Sequence, residues 1–136
     1  MRRTLILLPT LMLVGSMLIG CTPTPASVDV PITLKGSTAS SLDMSLPQTK
    51  FKAGVPYHFV IKNESAIALD WGILMLGAHT VNLSKDTVFR IDASKLQPNA
   101  TADGTYTFST PGTAGFIYYG PANDPGPSGI TISIEK

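Results

Sequence analysis

From Val28 onward the sequence alternates short β-branched or aromatic runs with turn clusters, and no stretch sustains apolar residues at i, i+3, i+4 and i+7 for three turns. This pattern predicts an all-β domain. The candidate strands are Val28–Lys35, Leu42–Leu46, Tyr57–Lys62, Ala68–Met75, Val88–Asp92, Gly104–Ser109, Gly115–Tyr119 and Ile130–Glu135. Between them stand Lys35-Gly36-Ser37, Ala53-Gly54, Lys62-Asn63-Glu64-Ser65, Gln97-Pro98-Asn99, Thr110-Pro111-Gly112 and Asp124-Pro125-Gly126-Pro127, which supply the Gly, Pro, Asn and Asp that tight turns need. A turn roughly every ten residues predicts a Greek-key β-sandwich of about eight strands. The continuous apolar run Ile73-Leu74-Met75-Leu76 is expected to be a strand buried on both sides or ending under a loop.

With 136 residues the chain supports one domain with one core and leaves no room for a second catalytic or cofactor-binding domain. The formal net charge is +1. The bases Lys35, Lys50, Lys52, Lys62, Lys85, Arg90, Lys95 and Lys136 are scattered singly, so there is no stripe to track phosphates and nucleic acid is not an expected partner. The one cysteine cannot close an intramolecular disulfide.

Residues 1–20 read as a secretory signal: Arg2 and Arg3, an apolar run from Thr4 to Ile19, then the small residues Gly15, Ser16 and Gly20 near its end. Pro9 and Thr10 interrupt the run, and a spanning helix needs about 20 mostly apolar residues, so an anchor helix is the weaker reading. Arg2 and Arg3 are the only charged residues of this leader, and its removal turns the net charge of +1 into −1.

The run ends in Leu18-Ile19-Gly20-Cys21, which resembles the lipobox of bacterial lipoproteins. The resemblance implies that Cys21 becomes the mature N-terminus, carries acyl chains such as palmitate, and anchors the protein to the extracytoplasmic face of a cell membrane. An ordinary secretory leader cut nearby would instead leave a free thiol. Residues 21–27, Cys21 followed by Thr-Pro-Thr-Pro-Ala-Ser, are expected to form a stiff tether ahead of a folded domain at 28–136.

Three segments together resemble the cupredoxin family of small Greek-key sandwiches. They are the strand from Phe51 to Asn63, with Gly54, Tyr57, Phe59 and Asn63 at family-like offsets, the strand and turn Gly104-Thr105-Tyr106-Thr107-Phe108-Ser109-Thr110-Pro111-Gly112-Thr113, and the closing strand Gly129–Ile134. The resemblance implies a cupredoxin-like fold over most of residues 28–136. It does not carry the family's copper chemistry with it. A blue copper site uses two imidazoles and a thiolate with a weak axial ligand. Setting Asn63 on the family's Asn puts Leu69, beside Asp70, at the first His. Tyr118 or Tyr119 then falls at the Cys, Asn123 or Asp124 at the second His, and Pro127 or Ser128 at the axial Met. No cysteine other than Cys21 exists to supply the thiolate. No cofactor is therefore expected.

The remaining soft or imidazole ligands are His58, His79, Met44 and Met75, a set that Cu(I) accepts by residue type. Copper through His79, His58 and Met75 is thus an alternative, although no paired motif supports it; two surface or hydrogen-bonded histidines and two core methionines are the plainer expectation. The loop after Tyr118-Tyr119 carries Asn123 and Asp124 and several prolines, and the resembled fold places it near Asp70 and Trp71. Asp70, Trp71, Tyr118, Tyr119, Asn123 and Asp124 are accordingly expected at one pole, as a site for a small ligand or an envelope partner. Alternatively Trp71 and one tyrosine fill the space a metal would occupy. Asp70 and Asp124 make only a weak hard-cation signal. No nucleophile elbow, phosphate loop or placed triad appears, so an enzyme is not expected. The sequence points to a membrane-anchored binding or interaction module, with copper handling or a structural role in a membrane redox complex as alternatives.

Overall fold

The computed structural model describes residues 26–38, 41–77, 82–120 and 128–136. The leader, Cys21 and most of the tether, as well as His79, Asn123, Asp124 and Pro127, lie outside the described residues. Nine strands stand among them: β1 (Val28–Gly36), β2 (Asp43–Ser45), β3 (Lys50–Lys52), β4 (Pro56–Ser65), β5 (Asp70–Leu76), β6 (Thr87–Ile91), β7 (Thr101–Thr107), β8 (Gly112–Tyr119) and β9 (Ser128–Glu135), with a single-turn helix α1 (Leu83–Asp86) before β6. They form a four-stranded sheet, β2-β1-β4-β7, and a five-stranded sheet, β3-β9-β8-β5-β6. β1 runs parallel to β4 and β3 parallel to β9; the other pairs are antiparallel.

All eight expected strands are present, with shifted ends. β7 begins at Thr101 and stops before Phe108, because Phe108 turns into the core and its carbonyl accepts from Gly54 N–H at 2.8 Å. The expected strand from Ala68 begins only at Asp70, since the Leu69 N–H is committed to the Leu96 carbonyl at 3.2 Å. β3 was not anticipated: it has one apolar residue, Phe51, and exists by pairing with the distant β9. α1 is too short for a periodic signal and is set by Asn82, whose Oδ1 accepts from the N–H groups of Ser84 (3.1 Å) and Lys85 (3.3 Å).

Period-two alternation builds the core. β1 sends Val30, Ile32 and Leu34 inward, and β4 sends Tyr57, Phe59, Ile61 and Asn63. Between the sheets the rings of Phe51, Tyr57, Phe59, Trp71, Phe89, Tyr106, Phe108 and Phe116 touch in a continuous network, with centroids 5.0–6.2 Å apart. All five phenylalanines of the chain belong to it. Phe89 reaches across the open edge of the sandwich onto Gly104 of β7, where a Cβ would come within 2.5 Å of the ring. In the run Ile73–Leu76 the first two residues are buried on opposite faces and the last two are half-buried: Ile73 faces the core, while Leu74 joins Ile117 and Tyr119 in a second apolar cluster on the outer face of the five-stranded sheet, packed against by Leu76 and by Leu83 of α1.

Candidate functional site

The expected pole is built where β4 ends, β5 begins and β8 ends. Asn63 holds it together. Fully buried, its Nδ2 donates to the carbonyls of Ile67 (2.8 Å) and Leu96 (2.7 Å), and its Oδ1 accepts from Ser65 N–H (3.0 Å) and Ser65 Oγ–H (2.6 Å). Its backbone accepts from Asn99 N–H and donates to the Ala100 carbonyl. One amide thereby fixes the loop that delivers Leu69 and Asp70 against the loop that follows β6. An amide in a dry site with its hydrogen-bonding capacity filled is costly to replace.

The β5–β8 register places Asp70 opposite Tyr119 and Trp71 opposite Tyr118, so the four described members of the expected pole do meet. The sheet then divides them. Trp71 and Tyr118 point inward. Trp71 is fully buried against Phe59, Phe89 and Phe116, and Tyr118 donates its hydroxyl to the Leu42 carbonyl at 2.9 Å. The Trp71 Nε1–H is buried and finds no hydrogen-bond acceptor among the described residues. Asp70 and Tyr119 point outward. The pole is thus an aromatic plug on one face and a polar cluster on the other, because neighbouring residues of a strand face opposite ways.

The polar cluster contains a residue that sequence reasoning missed as a site member. Arg90 of β6 donates to Asp70 Oδ1 from Nη2 (3.0 Å) and Nε (3.3 Å), Ala93 N–H reaches the same oxygen at 2.9 Å, and Arg90 Nε lies 3.2 Å from Asp92 Oδ1. The guanidinium carbon sits 5.7 Å from the centre of the Tyr119 ring, a cation–π distance. Asp70 is buried, while the Arg90 side chain is 49% exposed. Burial pushes the Tyr119 phenol above its ordinary pKa, with Arg90 working in the opposite direction. Arg90, Tyr119, Phe89, Ser84 and Thr87 line a surface hollow of about 400 Å³. No local sequence signal marks Arg90; the β5–β6 register, which sets it across from Gly72, is what brings it to Asp70.

The copper alternative is not assembled among the described residues. Met44 is buried in the core and Met75 packs against it from the five-stranded sheet, whereas His58 lies on the outer face of the four-stranded sheet, with the sandwich between them. Both ring nitrogens of His58 are engaged by carboxylates: Nδ1 by Asp29 Oδ1 at 2.9 Å and Nε2 by Asp103 Oδ2 at 3.0 Å. No group of three or more His, Cys, Asp or Glu side chains among the described residues is arranged to hold a metal ion.

Solved structures share this architecture. The dithionite-reduced auracyanin of the photosynthetic bacterium Roseiflexus castenholzii is 13% identical over 83% of this chain and 100% of that one, with a TM-score of 0.50. Auracyanin B is 12% identical over 84% of this chain and 92% of that one, with a TM-score of 0.51. The chain has a cupredoxin-like fold. No protein-family model and no curated protein matches the sequence. Within the cupredoxin-like fold, Leu69, the residue set at the family's first His, is fully buried with its backbone tied to Leu96. Tyr118 and Tyr119, set at the family's Cys, are the last two residues of β8.

Proposed function

We propose that this chain is a lipid-anchored protein on the extracytoplasmic face of a bacterial cell membrane, whose cupredoxin-like domain is a non-enzymatic binding or interaction module without a type 1 copper centre. The observation that carries the reading is the position of the only cysteine. Cys21 closes a lipobox-like sequence and precedes the first residue of β1 by seven positions, so the residue that would carry the anchor is not one of the strand residues of the sandwich. The inward half of the pole supports the second part, since Trp71 and Tyr118 fill the interior where a ligand set would be needed. The outward half supports the binding role: Arg90, Tyr119 and the hollow beside them offer a mixed aromatic and charged contact face for an envelope partner or a small ligand.

The anchor is tested by intact mass of the protein extracted from membranes. Acyl mass on Cys21, lost in Cys21→Ser together with membrane retention of the processed form, is the expected result; recovery as a soluble unmodified chain overturns it. The copper statement is tested by titration with Cu(II), where an intense thiolate-to-copper charge-transfer band would refute it.

A further inference from the structure

The outer face of the four-stranded sheet carries a cluster that the proposed function does not use. At the end where β1 begins, β2 has not yet joined the sheet, since it pairs only with Thr33–Lys35. The sheet there is three strands wide, with β4 in the middle and the edge strand β7 beyond. Asp29 on β1 and Asp103 on β7 meet His58 on β4 from either side, at 2.9 and 3.0 Å. The His58 side chain is 31% exposed, and the two carboxylates more so.

A carboxylate only accepts hydrogen bonds, and a neutral imidazole has one donor and one acceptor. Two carboxylates on the two ring nitrogens are both satisfied only by the doubly protonated ring. In either neutral tautomer, one carboxylate faces a nitrogen lone pair. We propose that Asp29, His58 and Asp103 form a proton-operated staple that, when His58 is charged, ties the first strand and the edge strand to the centre of the sheet, and that releases one of them when the proton leaves. The strand held through Asp29 is the one by which the chain enters the domain, so its release loosens that entry.

The sign of the effect follows from the surroundings. On β1 and β7 the charged groups facing His58 are Asp29 and Asp103; on β4 itself the next outward charges, Lys62 and Glu64, sit further along the strand, and Glu64 is occupied by Lys62 and Lys35. Hydrogen bonding to Asp103 and then to Asp29 raises the His58 pKa above 6.5, while its partial burial opposes them. A raised folded-state pKa means that the stabilisation is fully present below about pH 6.5, the unfolded value, and is lost as pH rises through the folded value.

The test uses the full chain in detergent micelles. An NMR titration of the imidazole resonances, with His58→Gln identifying them against His79, should place the His58 midpoint above 6.5, and Asp29→Asn and Asp103→Asn should each lower it. Amide hydrogen exchange at residues 28–30 and 103–105, corrected for the intrinsic pH dependence, should show protection lost across that midpoint in one of the two segments, with no such loss in His58→Gln. A midpoint at or below 6.5 that neither aspartate substitution moves overturns the staple. A raised midpoint with protection independent of pH in both β1 (residues 28–30) and β7 (residues 103–105) overturns the release. Neither readout involves the lipid anchor, so the inference stands or falls apart from the proposed function.

Discussion

The two faces of β4 are made of alternating residues of one ten-residue strand, and they hold the sheet together by different physics. Inward, Tyr57, Phe59 and Ile61 enter the aromatic core, and Asn63 and Ser65 form a dry hydrogen-bonded knot. Outward, His58 is flanked by Asp29 and Asp103 at one end, and Glu64 is flanked by Lys62 (2.7 Å) and Lys35 (3.5 Å) at the other. Each outward triad places a charge of one sign between two of the other across neighbouring positions. Burial contributes free energy that pH and salt hardly touch, whereas water weakens the outward groups and makes them adjustable.

The comparison breaks if inward changes do not dominate. Phe59→Ala removes a fully buried ring that touches Phe51, Tyr57, Trp71 and Phe116, and should cost about 3–5 kcal/mol in denaturant unfolding. Because Trp71 is the only tryptophan and is fully buried, its emission is expected to be blue-shifted in the native protein and to move to the red in this variant. Asn63→Ala leaves the carbonyls of Ile67 and Leu96 and the Ser65 hydroxyl without their partner, and should cost roughly 2–4 kcal/mol by the same measurement.

Smaller effects sharpen the outward half. Asp70→Asn on β5 weakens the grip on a half-exposed Arg90 that keeps Asp92, and should cost about 1–2 kcal/mol, leaving Trp71 emission unchanged because the sheet separates the two groups. His58→Gln should remove the part of the stability–pH profile that falls above about pH 6.5, read as the thermal midpoint across pH. Glu64→Gln should act at the other end of the scale and be the smallest of all. The Glu64 pKa is lowered chiefly by its bond to Lys62, so its contribution is present above 4.5, the unfolded value, and disappears as pH falls through the folded value. The two triads on one strand face therefore respond to acid in opposite directions, and substitution of each should remove only its own part of the profile.

Which of these features the sequence reveals depends on how strongly each strand alternates. In β4 the inward parity is readable, since Tyr57, Phe59 and Ile61 alternate with Pro56, His58, Val60 and Lys62, of which only Val60 is a strongly apolar residue at the outward parity. In β5 apolar residues stand at both parities, so the pattern leaves open both a converging site and an interior filled by Trp71 and one tyrosine, and the register divides the four described members between the two faces, with Trp71 and Tyr118 inside. β3 has no pattern of its own. For His58 the plainer expectation, a hydrogen-bonded histidine, describes the structure, but its partners lie 29 and 45 residues away and only the pairing of β1 and β7 with β4 selects them.

By itself the sequence determined the all-β class, the sandwich, the positions of eight strands and the want of any thiolate beyond Cys21. These follow from local alternation, turn chemistry and a residue count, none of which needs knowledge of what lies across the sheet. The tertiary structure alone decided that Arg90 completes the outward cluster with Asp70 and Tyr119, that Trp71 and Tyr118 plug the interior, and that two aspartates share one imidazole. Those are matters of register between strands distant in sequence, and a shift of one residue would turn each side chain to the opposite face.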